Sequence, residues 1–488
     1  MSAPRLLRGG NGKLPRMLFS DLQLDKILSE EAISVLQKPC GADDIRRRAE
    51  LFILLESESG KERFDRIFRV LSSCERALLL LDEAQNDYER YHRHACALEA
   101  YADALNALSS MTDFGSLFAD AAAYFGTSDK TAAAAEMKKS AGKIRALLFP
   151  MHSGLLSLSG KSWLTPDAGS VSETDCVANC AKKLGFAVSS KRSTDVKVNR
   201  VLSEAICALY SDECAQIEDE IAKYADVDMS EPTKYLAELS FFREITELCV
   251  KAAETGVPHC RAKLSDEVIY RADKLYDVSL LAKKCEHIVP NDAYFGGGER
   301  FCFLTGANGG GKTTYLRAVG INLVLFLSGC PCFADNAEIY PFALVLSHFQ
   351  QDERFDDTGR LDEEKGRADE MLCKAEKNTS FLLFNETFSG TDEKRGFELL
   401  KETVEKIHEY GCFGLYVTHF HEVKSLGEPV LSAEINADDS NRRTFRIVRA
   451  KGSASSYAAD ILRKYRLDKD SLNERRRANG DKPSSSAR

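Results

Sequence analysis

The spacing of hydrophobic positions changes along this chain, and the first part reads as helical. Up to about residue 285, apolar residues recur every three or four positions. The pattern is clearest over 66–110, where no proline interrupts it, and it returns at 131–148 and 199–224. This periodicity is typical of amphipathic helices. We therefore predict an all-helical core or lever over residues 16–285.

From residue 286 onward, short apolar runs alternate with amphipathic segments. That alternation is the signature of an α/β domain, in which helices cover a sheet. We predict such a domain over residues 286–468. The elements expected within it are a strand at 340–347, a helix at 362–377, a strand at 381–384, a helix at 394–410 and a strand at 412–418.

Residues 151–198 break the helical pattern. They are rich in glycine, serine and threonine, which predicts loops with short strands, inserted like a clamp into the helical part. The later half and its border are basic, with Lys182, Lys183, Lys191, Arg192, Lys197 and Arg200. Two interpretations stay open, a solvated face and a tip that contacts DNA phosphates. The two ends of the chain, residues 1–15 and 469–488, are polar and are expected to be a flexible and a disordered tail.

Composition narrows the class of protein. The chain has 488 residues, of which 44% are hydrophobic and 29% charged, as in ordinary globular proteins. Its formal net charge of −9 argues against a uniformly basic nucleic-acid-binding surface, but it leaves room for a local basic patch. No apolar run approaches the ~18 residues of a membrane span, so we expect no membrane association.

The 15 cysteines are scattered, and the polar, glycine-rich start does not read as a secretory leader. We therefore expect a cytoplasmic protein with reduced thiols. Two close pairs, Cys176 with Cys180 and Cys330 with Cys332, lack a second pair at zinc-finger spacing and are interpreted as packing residues.

Residues 305–314 read Thr-Gly-Ala-Asn-Gly-Gly-Gly-Lys-Thr-Thr, which contains the phosphate-loop pattern G-x-x-x-x-G-K-[ST]. An apolar run precedes it and a helical pattern follows, as this loop requires. Lys312 is expected to reach the β- and γ-phosphates of ATP, and Thr313 to place its hydroxyl on Mg²⁺. The predicted nucleotide-binding residues are Gly306, Ala307, Asn308, Gly309, Gly310, Gly311, Lys312, Thr313 and Thr314.

Such a loop needs an acidic partner at the end of another buried strand, and Asn385-Glu386 directly follows the strand at 381–384. Glu386 is the candidate that orients or deprotonates water. Asn385 is the candidate on the metal side, and its lack of charge predicts weaker Mg²⁺ binding than an aspartate would give. His419 follows another strand and is the candidate sensor of the γ-phosphate, with a structural histidine as the alternative. A metal pair of His419 with His421 is disfavoured, because no carboxylate or cysteine completes it at the usual spacing.

Together these residues resemble the MutS family of DNA mismatch-repair ATPases. Besides the loop, the resemblance rests on Val289-Pro290-Asn291-Asp292, Val417-Thr418-His419-Phe420, Ser456-Tyr457-Ala458, Tyr465-Arg466-Leu467, Asp21-Leu22-Gln23-Leu24-Asp25 and Ile45-Arg46-Arg47-Arg48. It implies an ABC-like P-loop NTPase domain behind a helical core, with ATP and Mg²⁺ as cofactors. It also implies a homodimer through the ATPase domains, DNA as a partner, and contacts with other repair proteins. The polar loop 389–392 is expected to contact phosphates or the partner subunit.

The departures from the family pattern point to a divergent branch. The helix before Glu370-Met371 carries Lys365-Gly366-Arg367-Ala368-Asp369 where the family has a Ser-Thr-Phe signature, so the serine expected to contact the partner's γ-phosphate is absent. The core pattern begins near Phe19, so we expect the mismatch-recognition domains to be absent. Lys365 or Arg367 is a candidate replacement cation.

Two hypotheses about function remain. In the first, the chain is a slow ATPase that acts on DNA, without its own mismatch reader, as a nucleotide-switched dimeric clamp whose binding depends on DNA shape rather than sequence. In the second, it is a nucleotide-dependent protein scaffold with little or no ATPase activity and no DNA binding. An ABC-type or SMC-type ATPase fits poorly, because no LSGGQ-like helix precedes Phe381 and the phosphate loop lies far from the N-terminus.

Overall fold

The computed structural model describes residues 4–450, apart from 8–9, 11, 159–199, 284, 286, 351–356, 377, 390–392 and 436–442. The chain forms two compact units. The first comprises residues 1–7 and 53–240, and the second comprises residues 8–52 and 241–488. The basic segment 182–197, the motif at 456–467 and the tail 469–488 lie outside the described residues. The domain boundaries predicted at 285 and 468 stay predictions.

Helices dominate the first unit and flank the sheets of the second. In chain order they are α1 Arg16–Asp21, α2 Glu30–Leu36, α3 Ala42–Glu56, α4 Glu58–Asp82, α5 Asp87–Ser109, α6 Ser116–Phe125, α7 Ser128–Leu158, α8 Arg200–Leu209, α9 Ser211–Ala222, α10 Tyr235–Glu254, α11 Ser279–Ala282, α12 Lys312–Leu327, α13 Asp357–Ala375 and α14 Glu393–Glu409. Short 3₁₀ helices lie at Leu24–Lys26, Met111–Phe114, Pro232–Lys234 and His421–Leu426. Within the described ranges, no helix combines the length and apolar character needed to cross a membrane.

The strands are β1 Lys263–Leu264, β2 Tyr270–Leu275, β3 Asn291–Phe295, β4 Phe301–Thr305, β5 Asn336–Ile339, β6 Leu344–Phe349, β7 Ser380–Asn385, β8 Phe413–Val417, β9 Val430–Ile435 and β10 Arg443–Arg449. They form a four-stranded sheet of order β1-β5-β2-β3 and a six-stranded sheet of order β10-β9-β4-β8-β7-β6. All neighbours in the larger sheet are parallel except β10, which runs antiparallel to β9. The helical N-terminal region and the α/β C-terminal region agree with the fold class predicted at that level.

The central strands of the larger sheet are buried on both faces. Every residue of β4 and β8 is buried, which explains their unbroken apolar sequences. The helix and strand predicted at 394–410 and 412–418 lie within one residue of α14 and β8. The strand predicted at 340–347 begins only at Leu344, because Pro341 cannot donate to a sheet ladder.

The N-terminal segment 8–52 packs on the larger sheet and on α12. Ser347 Oγ on β6 donates to Asp21 Oδ2 at 2.7 Å, and Arg48 Nη1 donates to the carbonyl of Ser328 at 3.0 Å. A Cβ added at Gly320 on α12 would lie 2.7 Å from a methyl group of Leu22 and 2.6 Å from one of Leu383. A glycine is needed there because helix, sheet and N-terminal segment meet at close range.

Each described cysteine has a free thiol, and Cys330 and Cys332 are fully enclosed in the second unit. Their burial agrees with the interpretation of this pair as packing residues.

Candidate nucleotide-binding site

The glycine loop joins β4 to α12 at the carboxyl edge of the six-stranded sheet. Gly306 has φ +118° and Gly311 has φ +91°, values that side-chain-bearing residues rarely adopt. A Cβ at Gly306 would lie 3.0 Å from the backbone nitrogen of Ala433 on β9. Glycine therefore serves both the turn and the close approach of β9, and α12 begins directly behind the loop at Lys312.

Lys312 points back into this loop. Its side chain is only 4% exposed, and Nζ donates to the carbonyl oxygens of Gly306 at 2.9 Å and Ala307 at 3.3 Å and to Asn308 Oδ1 at 3.2 Å. Burial lowers the pKa of Lys312, while the carboxylate of Glu386, 4.0 Å away, acts in the opposite direction. The ammonium group is thus held inside the loop by weak neutral acceptors, which phosphate oxygens can replace with charged ones.

Thr313 and Asn385, the two residues predicted on the metal side, lie in contact. Thr313 Oγ1 on the first turn of α12 donates to Asn385 Oδ1 at the end of β7 at 3.1 Å. Both are oxygen donors of the kind that Mg²⁺ prefers, but neither carries a charge. The described residues include no cluster of three or more His, Cys, Asp or Glu side chains suited to a metal ion.

Glu386 follows Asn385 in a left-handed backbone conformation, with φ +53°. Its N–H donates to the carbonyl of Val417 on β8 at 2.9 Å, and its side chain is 33% exposed. The next residues are also held firmly, since Tyr416 donates to the carbonyl of Thr387 and the N–H of Phe388 donates to the buried Glu364. The carboxylate of Glu386 therefore sits on a fixed turn beside the Lys312 ammonium.

His348 is a buried residue that contacts this turn, and this role was not predicted from the sequence. Its Nδ1 lies 2.9 Å from Thr387 Oγ1. Burial, with the positive charge of Arg367, lowers its pKa to about 4, so the imidazole is neutral at physiological pH. His348 lies within β6, and its sequence context carries no signal of burial.

His419 lies at the same sheet edge. Val417, two residues before it, pairs with Leu304 of β4 and with Asn385 of β7, so His419 lies beyond the ends of both neighbouring strands. The side chain is exposed, and its ring centroid is 4.6 Å from that of Phe420. Among the described residues, no hydrogen bond joins its imidazole to Glu386 or Thr313.

The loop predicted to face a partner subunit is only partly within the described residues. Ser389 Oγ donates to Gln350 Oε1 at 3.3 Å. Residues 390–392 lie outside the described part, so their role at a partner stays a prediction.

The edge strands β9 and β10 contribute residues that sequence reasoning missed. Phe445 on β10 has φ +57°, is 48% exposed, and its Cδ1 would lie 3.5 Å from a Cβ at Gly311. Asn291 fixes this irregular strand, since Nδ2 donates to the carbonyl of Phe445 at 3.1 Å and Oδ1 accepts from the N–H of Ile447 at 2.7 Å. The positive charge of Arg443, at the start of β10, lies near enough to lower the pKa of Lys312 further. Of these residues, only Asn291 had a sequence signal, because it belongs to the motif Val289-Pro290-Asn291-Asp292.

The comparison with known proteins agrees with the loop and sheet just described. Residues 302–471 match the family described as MutS domain V. DNA mismatch repair protein MutS of Bacillus licheniformis is 26% identical over 225 residues, which is 46% of this chain and 25% of that protein. Endonuclease MutS2 of Streptococcus suis is 27% identical over 219 residues, 43% of this chain and 28% of that protein.

A third relative is DNA mismatch repair protein MSH2 of Saccharomyces cerevisiae, 34% identical over 130 residues, or 26% of this chain and 13% of that protein. Residues 302–471 of this chain thus resemble domain V of the MutS family. The aligned region spans between 13% and 28% of the length of these three relatives.

Proposed function

We propose that this chain binds ATP with Mg²⁺ at residues 306–314, hydrolyses it slowly, and acts on DNA as a nucleotide-switched dimer. The observation that carries the proposal is one contact set at the sheet edge. Lys312, Thr313, Asn385 and Glu386 come from two separate elements, and they lie within hydrogen-bond or ion-pair distance of one another. The Lys312 ammonium group provides the positive charge that a nucleoside triphosphate requires. The side-chain oxygens of the other three residues provide the polar groups that its metal and the attacking water require.

The loop fits a triphosphate for physical reasons. Left-handed glycines turn the backbone into a cradle, and the N-terminus of α12 adds partial positive charge. Lys312 supplies a full charge, and Arg443 on β10 lies close enough for its charge to reach the same place. These positive charges favour a negatively charged ligand in the loop.

Glu386 is the residue proposed to orient and deprotonate the attacking water. The fixed turn holds its carboxylate in place, and the ion pair with Lys312 draws it toward the loop. Mg²⁺ would supply neutralisation of phosphate charge. Thr313 and Asn385 would hold it through two neutral oxygens, which is why slow turnover is expected. His419, at the same edge, is proposed to sense the terminal phosphate.

Single-turnover hydrolysis of ATP tests the proposal, with the full chain in excess of nucleotide, with and without DNA. We expect measurable hydrolysis by the unaltered protein. Glu386→Gln should retain bound ATP and reduce hydrolysis by about 10²-fold or more. Glu409→Gln, an exposed glutamate at the end of α14, is the matched control. Normal hydrolysis by Glu386→Gln would show that another group activates the water.

DNA binding and dimerisation form the second part of the proposal. They rest on the match of residues 302–471 to MutS domain V and on relatives whose names refer to DNA mismatch repair. Titration of duplex, branched and single-stranded DNA at two salt concentrations tests the first. Sedimentation with a non-hydrolysable ATP analogue tests the second, with a nucleotide-dependent dimer as the expected result.

The scaffold alternative is favoured by one observation at α13. Lys365, a candidate to replace the missing signature serine, lies 3.5 Å from Glu402 on α14 of its own chain. A cation engaged in this way is less available to a partner's nucleotide. ATP binding without hydrolysis, together with no DNA binding at low salt, would favour this alternative.

A further inference from the structure

A cleft in the helical unit contains a cysteine in an unusual chemical setting. The cleft has a volume of about 580 Å³ and lies among α4, α5 and α7. Its polar lining includes Arg66, Arg69, Cys96, Glu99, Asp103 and Arg145. None of these residues belongs to the nucleotide site, and residues on three helices are brought together here.

Cys96 lies on α5 and is half-buried at the wall of the cleft. Its Sγ is 3.9 Å from Nδ1 of His92, one helical turn earlier. Burial alone would raise the pKa of this thiol, but the neighbouring His92 and Arg145 outweigh burial, and the pKa is lowered. Two donors from two helices therefore favour the thiolate, which is the nucleophilic form.

Three other described cysteines show how burial changes the pKa of a thiol in this protein. Burial raises the pKa of Cys40 to about 11, that of Cys74 to about 12 and that of Cys302 to about 12. No histidine or arginine offsets burial at Cys74, which lies on α4. The difference at Cys96 thus comes from the His92 and Arg145 side chains beside it.

The charges around the cleft favour an anionic ligand. Both carboxylates in the lining are already paired, Glu99 with Arg145 and Asp103 with Lys138. Arg66 and Arg69 are exposed on α4, one turn apart, and neither has an ion-pair partner among the described residues. The guanidinium groups of these two residues give the cleft a net positive charge.

We propose that Cys96 is a modification site for low-molecular-weight disulfides that carry carboxylates, with Arg66 and Arg69 holding those carboxylates. In the reaction, the Cys96 thiolate attacks one sulfur of the disulfide. The original S–S bond breaks, a mixed disulfide forms on Cys96, and the second thiolate leaves and takes a proton from water. Cys96 is oxidised, and the released half of the disulfide is reduced.

The test is exposure of the full chain to oxidised glutathione at pH 7, followed by peptide mass mapping over time. We expect Cys96 to be modified at least about threefold faster than Cys373, an exposed cysteine on α13. Cys96→Ser should remove this fast modification, whereas Cys373→Ser should leave it unchanged. An equal or slower rate at Cys96 would overturn the proposal.

The role of the arginines is tested by a change of ligand charge. The double variant Arg66→Gln with Arg69→Gln should slow modification of Cys96 by oxidised glutathione by about threefold or more. It should leave the reaction with neutral 2-hydroxyethyl disulfide unchanged. Arg76→Gln, an exposed arginine on α4 outside the lining, is the matched control. The same loss with both disulfides would mean that the variant alters the thiol itself, and the proposed carboxylate contacts would be wrong.

Discussion

The glycine loop and the segments packed around it differ in how their geometry is specified. A loop of this kind binds phosphate mainly with backbone N–H groups, so eight neighbouring positions are enough to define it. The surroundings come from distant parts of the chain, with Ala433 and Phe445 on the edge strands and Asn385 at the end of β7. A short motif is therefore enough to predict a phosphate-binding loop, whereas the arrangement of the residues around the loop depends on tertiary packing.

The largest expected effect lies in the loop itself. Lys312→Ala removes the buried ammonium group and its charge-assisted contacts to phosphate. We expect ATP affinity to fall by about 10- to 100-fold, on the scale of one hydrogen bond to a charged group. Isothermal titration measures it, with Lys424→Ala as control, since Lys424 is exposed on the 3₁₀ helix His421–Leu426. Unchanged affinity would show that the loop does not bind ATP.

The second effect concerns the metal side, where β7 meets the loop. Asn385→Asp adds a negative charge 3.1 Å from the Thr313 hydroxyl. We expect Mg²⁺ to bind about tenfold more tightly in the presence of ATP, because ligand charge strengthens binding of hard cations. A Mg²⁺ titration of nucleotide binding measures the change. Asn378→Asp, just before the same strand, is the control, and an equal effect there would argue for a general charge effect.

The sequence predicted the loop and, from β6 to β8, the alternation of strands and helices, because each leaves a local pattern. It did not predict that residues 8–52 pack with the sheet, because helical periodicity does not say what a helix packs against. His348 and Phe445 were missed for a similar reason, since burial and positive φ arise only in the folded chain. The Cys96 cleft is lined by residues of three helices, from Arg66 to Arg145, and so no local motif marks it.

A third prediction concerns Asp21 in the N-terminal segment, which packs against the larger sheet. Burial raises the pKa of Asp21 to about 6, against the attraction of Arg367 and Arg317. The folded protein thus holds this proton more tightly than the unfolded chain does, and stability is lost as pH rises from about 4 through 6. Asp21→Asn lacks the ionised form. We therefore expect it to be more stable than the parent at pH 7.5 by about 1 kcal/mol, after allowance for partial solvent screening.

That advantage should shrink at pH 5, where Asp21 of the folded parent is mostly protonated. Thermal denaturation at the two pH values measures it. Asp266→Asn, an exposed position, controls for the loss of one surface charge. A constant difference at both pH values would show that Asp21 acts by packing and not by its charge.

The smallest expected effect concerns Phe445, the half-exposed ring beside Gly311. If the edge strands extend the site beyond the loop, this ring offers an apolar face to the base or sugar of the nucleotide. Phe445→Ala should then weaken binding of ATP and ADP by about three- to fivefold, the scale of one aromatic contact. Affinity for inorganic triphosphate should stay the same, because the phosphates are expected to contact only the loop.

Val448→Ala, at an exposed apolar position on the same strand, is the control. An equal loss with triphosphate and with nucleotide would mean that Phe445 only supports the loop through Gly311, and the site would be confined to the motif.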